Sequence, residues 1–180
     1  MRSLYYHVSV VLLGFWGGSV LNGKLDAGTR FVNFGQRLID IFSRTFFPYL
    51  SRNIDKHTLY AKMNIIISLF LSVCLFIFAP LLIDIFFTEE FLNAVIVLRI
   101  LSFSVFFFTL SSVYGTNYMI IEGYERQLRN ITAVISVIGL CIGVPLIYYF
   151  DYIGAAFTII GTQGLLGGAI ALKAISIKKL

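Results

Sequence analysis

Three stretches of the chain run for about twenty residues without a charged side chain. They are residues 63–83, 131–150 and 152–172. A helix needs about 20 apolar residues to cross a bilayer, where only helices and closed barrels satisfy all of their backbone hydrogen bonds. Charged residues make up 13% of the chain, about half the share in a soluble domain. The sequence therefore predicts a membrane protein whose main solvent is lipid.

Three more segments reach spanning length, although one of them is strongly amphipathic. We predict an all-α polytopic helix bundle of about six transmembrane helices. The whole chain, residues 1–180, is expected to form a single transmembrane domain. The approximate spans are 4–21, 27–50, 63–83, 95–121, 131–150 and 152–172.

The basic residues are distributed unevenly between the loops. If six spans alternate, nine lysines and arginines fall on one side of the membrane and two on the other. The nine are Arg2, Arg52, Lys56, Lys62, Arg126, Arg129, Lys173, Lys178 and Lys179, and the two are Lys24 and Arg30. Because cytoplasmic loops are rich in Lys and Arg, we predict that both termini are cytoplasmic. The net charge of +5 then reflects topology, and no nucleic-acid partner is expected.

Glycines spaced four apart indicate where helices approach closely. The pairs are Gly14 with Gly18, Gly139 with Gly143, and Gly164 with Gly168. In lipid, small residues let helix backbones pack together, whereas large apolar side chains give little association. We interpret these pairs as packing sites within the bundle.

A row of polar residues follows the second predicted span at spacings of 4, 3, 4, 3 and 4. This row, the arginine stripe, consists of Asp26, Arg30, Asn33, Arg37, Asp40 and Arg44. Such spacing defines one face of a helix. A charge at the bilayer centre costs at least about 2.5 kcal/mol, so the stripe must avoid lipid. The spacing allows three ion pairs, Asp26 with Arg30, Arg37 with Asp40, and Asp40 with Arg44, and three arginines against two aspartates leave a net positive charge.

Three interpretations fit the stripe. It forms a helix lying flat on the membrane, a structural ladder of buried ion pairs, or the wall of a water-filled cavity that binds an anion. A flat helix would leave five spans and reverse the side of the later basic loops. Arginine suits phosphate because its planar guanidinium matches phosphate oxygens, so we adopt the cavity wall.

The fourth span offers a second wall for the same cavity. Its polar residues are Arg99, Ser102, Thr109, Ser112 and Thr116. The predicted substrate-binding residues of the whole cavity are Arg30, Asn33, Arg37, Asp40, Arg44 and Arg99.

Chemistry beyond binding is not indicated by the sequence. Cys74 and Cys141 lie inside apolar runs, where a cysteine is normally a small buried apolar residue. No cluster has the spacing of metal ligands, a nucleophile elbow or a phosphate-binding loop. We therefore expect no metal, no cofactor and no enzymatic activity.

Three stretches of the sequence resemble the polysaccharide and O-antigen flippases of the multidrug/oligosaccharidyl-lipid/polysaccharide exporter superfamily. The first covers Ala27–Phe31 and Phe46–Arg52, the second Val97–Ser102 with Tyr114–Asn117 and Glu122–Arg126, and the third Tyr152–Ala156. In order and spacing they cover nearly the whole chain and are similar to the carboxy-terminal half of that family.

The resemblance implies a function and a set of partners. Members of that family move undecaprenyl-pyrophosphate-linked oligosaccharide repeat units across the bacterial inner membrane, through a cavity between two lobes of helices. This chain is similar to one lobe only, so the expected partners are an amino-terminal lobe or a second copy, besides the bilayer and the lipid-linked substrate. The alternatives are an inactive or partner-dependent fragment, a membrane polymerase or transferase of glycan assembly, and a drug exporter of the same superfamily.

Overall fold

This computed structural model describes residues 4–178, except for the side chains of residues 4–9, 12, 15–19 and 178. Helix is the only regular structure in the described residues. The all-α prediction is confirmed. Short 3-10 turns lie at Ile54–Lys56, before the second helix, and at Glu89–Phe91, after it. In chain order the helices are α1 (Leu4–Arg52), α2 (His57–Phe86), α3 (Ala94–Ser102), α4 (Ser104–Leu110), a π-helical segment (Ser111–Met119) and α5 (Glu125–Lys178).

Among the residues that the structure describes, three helical stretches are long and apolar enough to cross a membrane, judged by length and composition. They are Ile54–Phe86, Ala94–Met119 and Glu125–Ile177, with 33, 26 and 53 residues. A 53-residue helix would be about 80 Å long if straight, far more than a bilayer's hydrocarbon core of about 30 Å. The chain is therefore a multi-pass membrane protein, and the count of about six spans stays a prediction.

Helix α2 has its polar side inward and its apolar side outward. Small or polar residues such as Ser68, Ser72 and Ala79 are completely buried against the bundle. Large apolar side chains face away from it, with Phe70 71% exposed and Ile66 67% exposed. This arrangement would be unfavourable in water, because it leaves a wide apolar surface uncovered. It suits lipid, where small residues mediate helix packing.

Helix α5 is folded back on itself at Asp151. The backbone there has φ 48° and ψ −130°, which breaks the helix between the predicted spans 131–150 and 152–172. A Cβ on Gly143 would lie 2.6 Å from Cγ2 of Thr158, and one on Gly139 would collide with Thr162. The two halves of α5 are therefore an antiparallel hairpin, and the predicted close packing at Gly139 and Gly143 is confirmed.

The predicted close packing is not found at Gly164 and Gly168, and Gly18, the predicted partner of Gly14, lies outside the positions whose surroundings the structure describes. A Cβ on Gly164 would lie 3.6 Å from the Phe107 ring, an ordinary contact, and one on Gly168 would have nothing within 4 Å. A Cβ on Gly14 would lie 2.9 Å from the side-chain nitrogen of Asn22. In a straight helix the eight residues from Gly14 to Asn22 would cover about 12 Å. Helix α1, which contains the predicted spans 4–21 and 27–50, is therefore bent between these two residues.

The predicted span 95–121 is interrupted, which the sequence did not indicate. Helix α3 ends at Ser102, α4 begins at Ser104, and the backbone from Ser111 to Met119 is π-helical. A π-helix widens the turn by one residue and is often found at functional positions. Here it carries Ser112 and Asn117 toward α1, as described below.

The main core lies at the centre of these elements, where apolar residues of all five α-helices meet.

Candidate substrate-binding face

The second half of α1 has one face in the bundle core and one face outside it. The core-facing residues include Thr29, Val32, Gln36, Ile39 and Ser43, each at most 4% exposed. The arginine stripe lies on the other side of the helix. Of its six residues, Asp26, Arg30, Arg37 and Arg44 are exposed, and Asn33 and Asp40 are half-buried.

Two of the three predicted ion pairs in the stripe are present. Arg30 Nη2 lies 2.9 Å from Oδ2 of Asp26, and Arg44 Nη2 lies 2.9 Å from Oδ2 of Asp40. The third pair that the spacing allows, Asp40 with Arg37, does not form. Arg37 makes no ion pair with any residue that the structure describes. The net positive charge of the stripe therefore resides at Arg37, in its middle.

Buried polar contacts fix the rotation of α1 about its own axis. The side-chain amide nitrogen of Gln36, Nε2, donates to Ser104 Oγ and to Gln163 Oε1, both at 3.3 Å. Ser43 Oγ accepts from Ser112 Oγ at 2.8 Å and from Asn117 Nδ2 at 2.9 Å. These contacts hold Gln36 and Ser43 inward, so the stripe beside them faces out of the bundle.

A buried polar cluster surrounds Ser43 and was not recognised from the sequence. Asn117 is completely buried and also donates through Nδ2 to the Tyr60 hydroxyl at 2.6 Å. Nearby, His57 Nε2 lies 2.9 Å from the carbonyl oxygen of Val113. The available signal was the seven-residue spacing of Gln36 and Ser43 along one helix face, together with an asparagine inside an apolar run.

Arg99 does not lie with the stripe. Its neighbours Val97 and Leu98 face α1, where a Cβ on Gly28 would lie 2.6 Å from Cγ1 of Val97. Arg99 lies on the opposite face of α3, with its guanidinium carbon 5.6 Å from the centre of the Phe76 ring. The structure thus brings five of the six predicted site residues onto one face and separates the sixth from them.

Of the second wall predicted on the fourth span, Arg99 and Thr116 are exposed, and the other three residues are not open to a cavity. Ser102, Thr109 and Ser112 are buried. Ser102 donates to the carbonyl oxygen of Arg99 at 2.7 Å, and Thr109 to that of Val105 at 2.9 Å. Both hydroxyls are satisfied within their own helix, so they serve as internal polar residues of the lobe.

Within the described part of the chain, no group of three or more His, Cys, Asp or Glu residues is placed to hold a metal ion. Cys74 and Cys141 are free thiols, and the expectation that both are buried is wrong, since Cys74 is half-buried and Cys141 is exposed. What the face offers is an exposed row of paired charges with one arginine in excess, which can bind an anion by charge and hydrogen bonding.

Two proteins with the same name match this chain in sequence. A protein of Escherichia coli (strain K12) with the name "Putative O-antigen transporter" is 30% identical over 171 residues, which is 91% of this chain and 41% of that protein. The chain is similar to part of an O-antigen transporter. A protein of Shigella dysenteriae with the same name is 24% identical over 169 residues, 91% of this chain and 43% of that protein.

The similarity to O-antigen transporters is partial in extent. The chain spans about two fifths of the length of the two relatives, while nearly all of the chain takes part in each match. No protein-family model matches the chain, and no solved structure matches it. The similarity agrees with the resemblance found in the sequence and with a multi-pass membrane transporter.

Proposed function

We propose that this chain forms one wall of the path by which the headgroup of a lipid-linked oligosaccharide crosses the bacterial inner membrane. The observation that carries the proposal is the outward-facing arginine stripe of a helix in a membrane bundle, with an unpaired arginine at its centre. Such a face would be unfavourable against lipid. It suits a water-filled space in which a pyrophosphate passes.

The physical requirement of flipping agrees with the stripe. A pyrophosphate and its sugars cannot enter hydrocarbon unaided, since desolvating an unpaired charge is very costly. The lipid tail, by contrast, can stay in the bilayer. Arg37 would bind the phosphate oxygens, flanked by the paired Arg30 and Arg44, with Asn33 and Asp40 beside them. No covalent bond changes, so the proposed activity is transport rather than catalysis.

The exposed stripe also supports a partner. On the chain alone, Arg30, Arg37 and Arg44 would line only one side of a cavity, so a second wall must come from another lobe. We propose an amino-terminal lobe as that partner, with a second copy as the other candidate. In this arrangement both termini are cytoplasmic, as the distribution of basic residues predicts.

Export of O-antigen to the cell surface tests the proposal. The chain is expressed in cells that lack their own transporter, alone and together with the part of the Escherichia coli relative that lies outside the matched region. We expect surface O-antigen only when both are present. Arg37→Gln should abolish export at normal protein level, whereas Arg126→Gln, an exposed arginine away from the stripe, should not.

Two results would contradict the proposal. The first is export by cells that express the chain alone, if the chain purified from those cells is a monomer. This would mean that one lobe forms a complete path. Export by Arg37→Gln at the wild-type level would mean that the stripe is a structural ion-pair ladder.

A further inference from the structure

Arg99 faces outward from the bundle on a different side from the arginine stripe. Arg99 lies five residues into α3 and is exposed. Its guanidinium contacts the face of the Phe76 ring at 5.6 Å. The ion pairs formed among the described residues, Arg30 with Asp26 and Arg44 with Asp40, do not include it. A charge inside a membrane helix without a carboxylate partner calls for another anion or for the polar headgroup layer.

Arg99 stands at the edge of an apolar groove. The groove has a volume of about 430 Å³ and lies between α2, α3 and the second half of α5. Its other lining residues are all apolar: Phe76, Ile96, Ile100, Phe103, Phe157 and Ile160. Ile96, Phe103 and Phe157 are 37–52% exposed, so the groove opens toward the outside of the bundle, where lipid would lie.

Arg99 lies nearer to one end of the groove, and the apolar side chains of Phe103 and Ile160 lie farther from that end. The starts of α3 and of the second half of α5 lie at the same end of the bundle, because Gly23 and Lys24 of α1 approach Phe91 and Tyr152 there. With a rise of 1.5 Å per residue, Arg99 lies about 7 Å below the start of α3 and Phe103 about 13 Å below it. Ile160 lies about 13 Å below the break at Asp151 on the same scale.

We propose that this groove binds an anionic phospholipid, with the phosphate on Arg99 and an acyl chain along Phe103, Phe157 and Ile160. Long basic side chains near helix ends reach up to the headgroup layer, and basic pockets between membrane helices bind anionic headgroups. The aromatic and branched side chains below Arg99 extend for about 6 Å on this scale, so they would hold the first part of an acyl chain. The proposal does not depend on the role of the stripe.

A second copy of the chain fits this groove less well than a lipid does. A symmetric contact through the same face would bring two copies of Arg99 close together. Like charges without a carboxylate between them would repel at that depth. An anionic lipid instead neutralises the charge and fills the groove.

Fluorescence quenching tests lipid occupancy directly. The chain has one tryptophan, so Trp16→Phe with Phe157→Trp places a single probe in the groove. The purified full chain is reconstituted in phosphatidylcholine with a small fraction of brominated phosphatidylglycerol or, in parallel, of brominated phosphatidylcholine. We expect phosphatidylglycerol to be preferred about fivefold, the effect of one basic residue near the membrane surface.

Variants assign the preference to the guanidinium. Arg99→Gln should abolish it, Arg99→Lys should keep part of it, and the exposed Arg129→Gln should leave it unchanged. Equal quenching by both lipids, or a preference that survives in Arg99→Gln, would overturn the proposal. Circular dichroism and size-exclusion chromatography confirm that each variant compared is folded.

Two other occupants are distinguished in the same samples. If excess inorganic phosphate removes the preference, the site recognises free phosphate rather than a lipid, and the proposal is wrong. If native mass spectrometry finds a dimer and neither brominated lipid quenches the probe, a second copy covers the groove, and the proposal is also wrong.

Discussion

Neutralising Arg37 should weaken binding of a pyrophosphate far more than removing a neighbouring ion pair. The stripe has three arginines and two aspartates, but Arg30 and Arg44 each lie 2.9 Å from a carboxylate. Arg37→Gln lowers the net charge of the stripe from +1 to zero. The double variant Asp40→Asn with Arg44→Gln removes one charge of each sign and keeps the net charge at +1.

The expected difference follows from the strength of a charged hydrogen bond. An arginine bound to a phosphate contributes about 1.5–3 kcal/mol, so losing Arg37 should raise the dissociation constant about 10- to 150-fold. An exposed ion pair contributes about 1 kcal/mol or less. The double variant should therefore change the dissociation constant by less than about fivefold.

Titration of the purified chain with a short polyprenyl pyrophosphate measures both constants. Thermal unfolding in the same detergent checks that the variants are folded. Equal losses in the two variants would show that binding depends on the whole row rather than on the unpaired arginine. An unchanged constant in folded Arg37→Gln would refute the assignment of the site to this face.

Three further predictions concern packing and topology. Gly143→Ala should lower the unfolding temperature in detergent, because the new methyl group overpacks against Thr158 at a cost of about 1–3 kcal/mol. The control Gly161→Ala has nothing within 4 Å of its new methyl group and should not lower it. Equal unfolding temperatures would mean that the hairpin is looser than described. Asn117→Leu should reduce stability by about 1 kcal/mol, because two buried hydrogen bonds at roughly 0.6 kcal/mol each are lost, and chemical unfolding that shows no loss would contradict the role of the buried cluster. In a cysteine-free background, a membrane-impermeant thiol reagent added outside cells should label Glu90→Cys and not Arg126→Cys, and the reverse pattern would refute the topology.

The sequence by itself determined the class of the protein and the local geometry of the stripe. Uncharged runs of spanning length predict helices in lipid, because no other open structure satisfies the backbone there. The i,i+4 spacing of Asp26 with Arg30 and of Asp40 with Arg44 predicts their ion pairs, since residues four apart meet on any α-helix. Glycine spacing does not determine packing in the same way, because a Cβ on Gly143 would lie 2.6 Å from Thr158 whereas one on Gly168 would have nothing within 4 Å.

Only the tertiary structure decided which way each helix face points. Rotation of α1 is set by contacts with residues far away in the chain, such as Gln36 with Ser104, and no spacing within α1 encodes those partners. The same applies to Arg99, which looked suitable for the stripe's cavity but lies on the opposite face of α3. Periodicity places residues relative to one another along a helix, whereas the packing of that helix against its neighbours determines what they face.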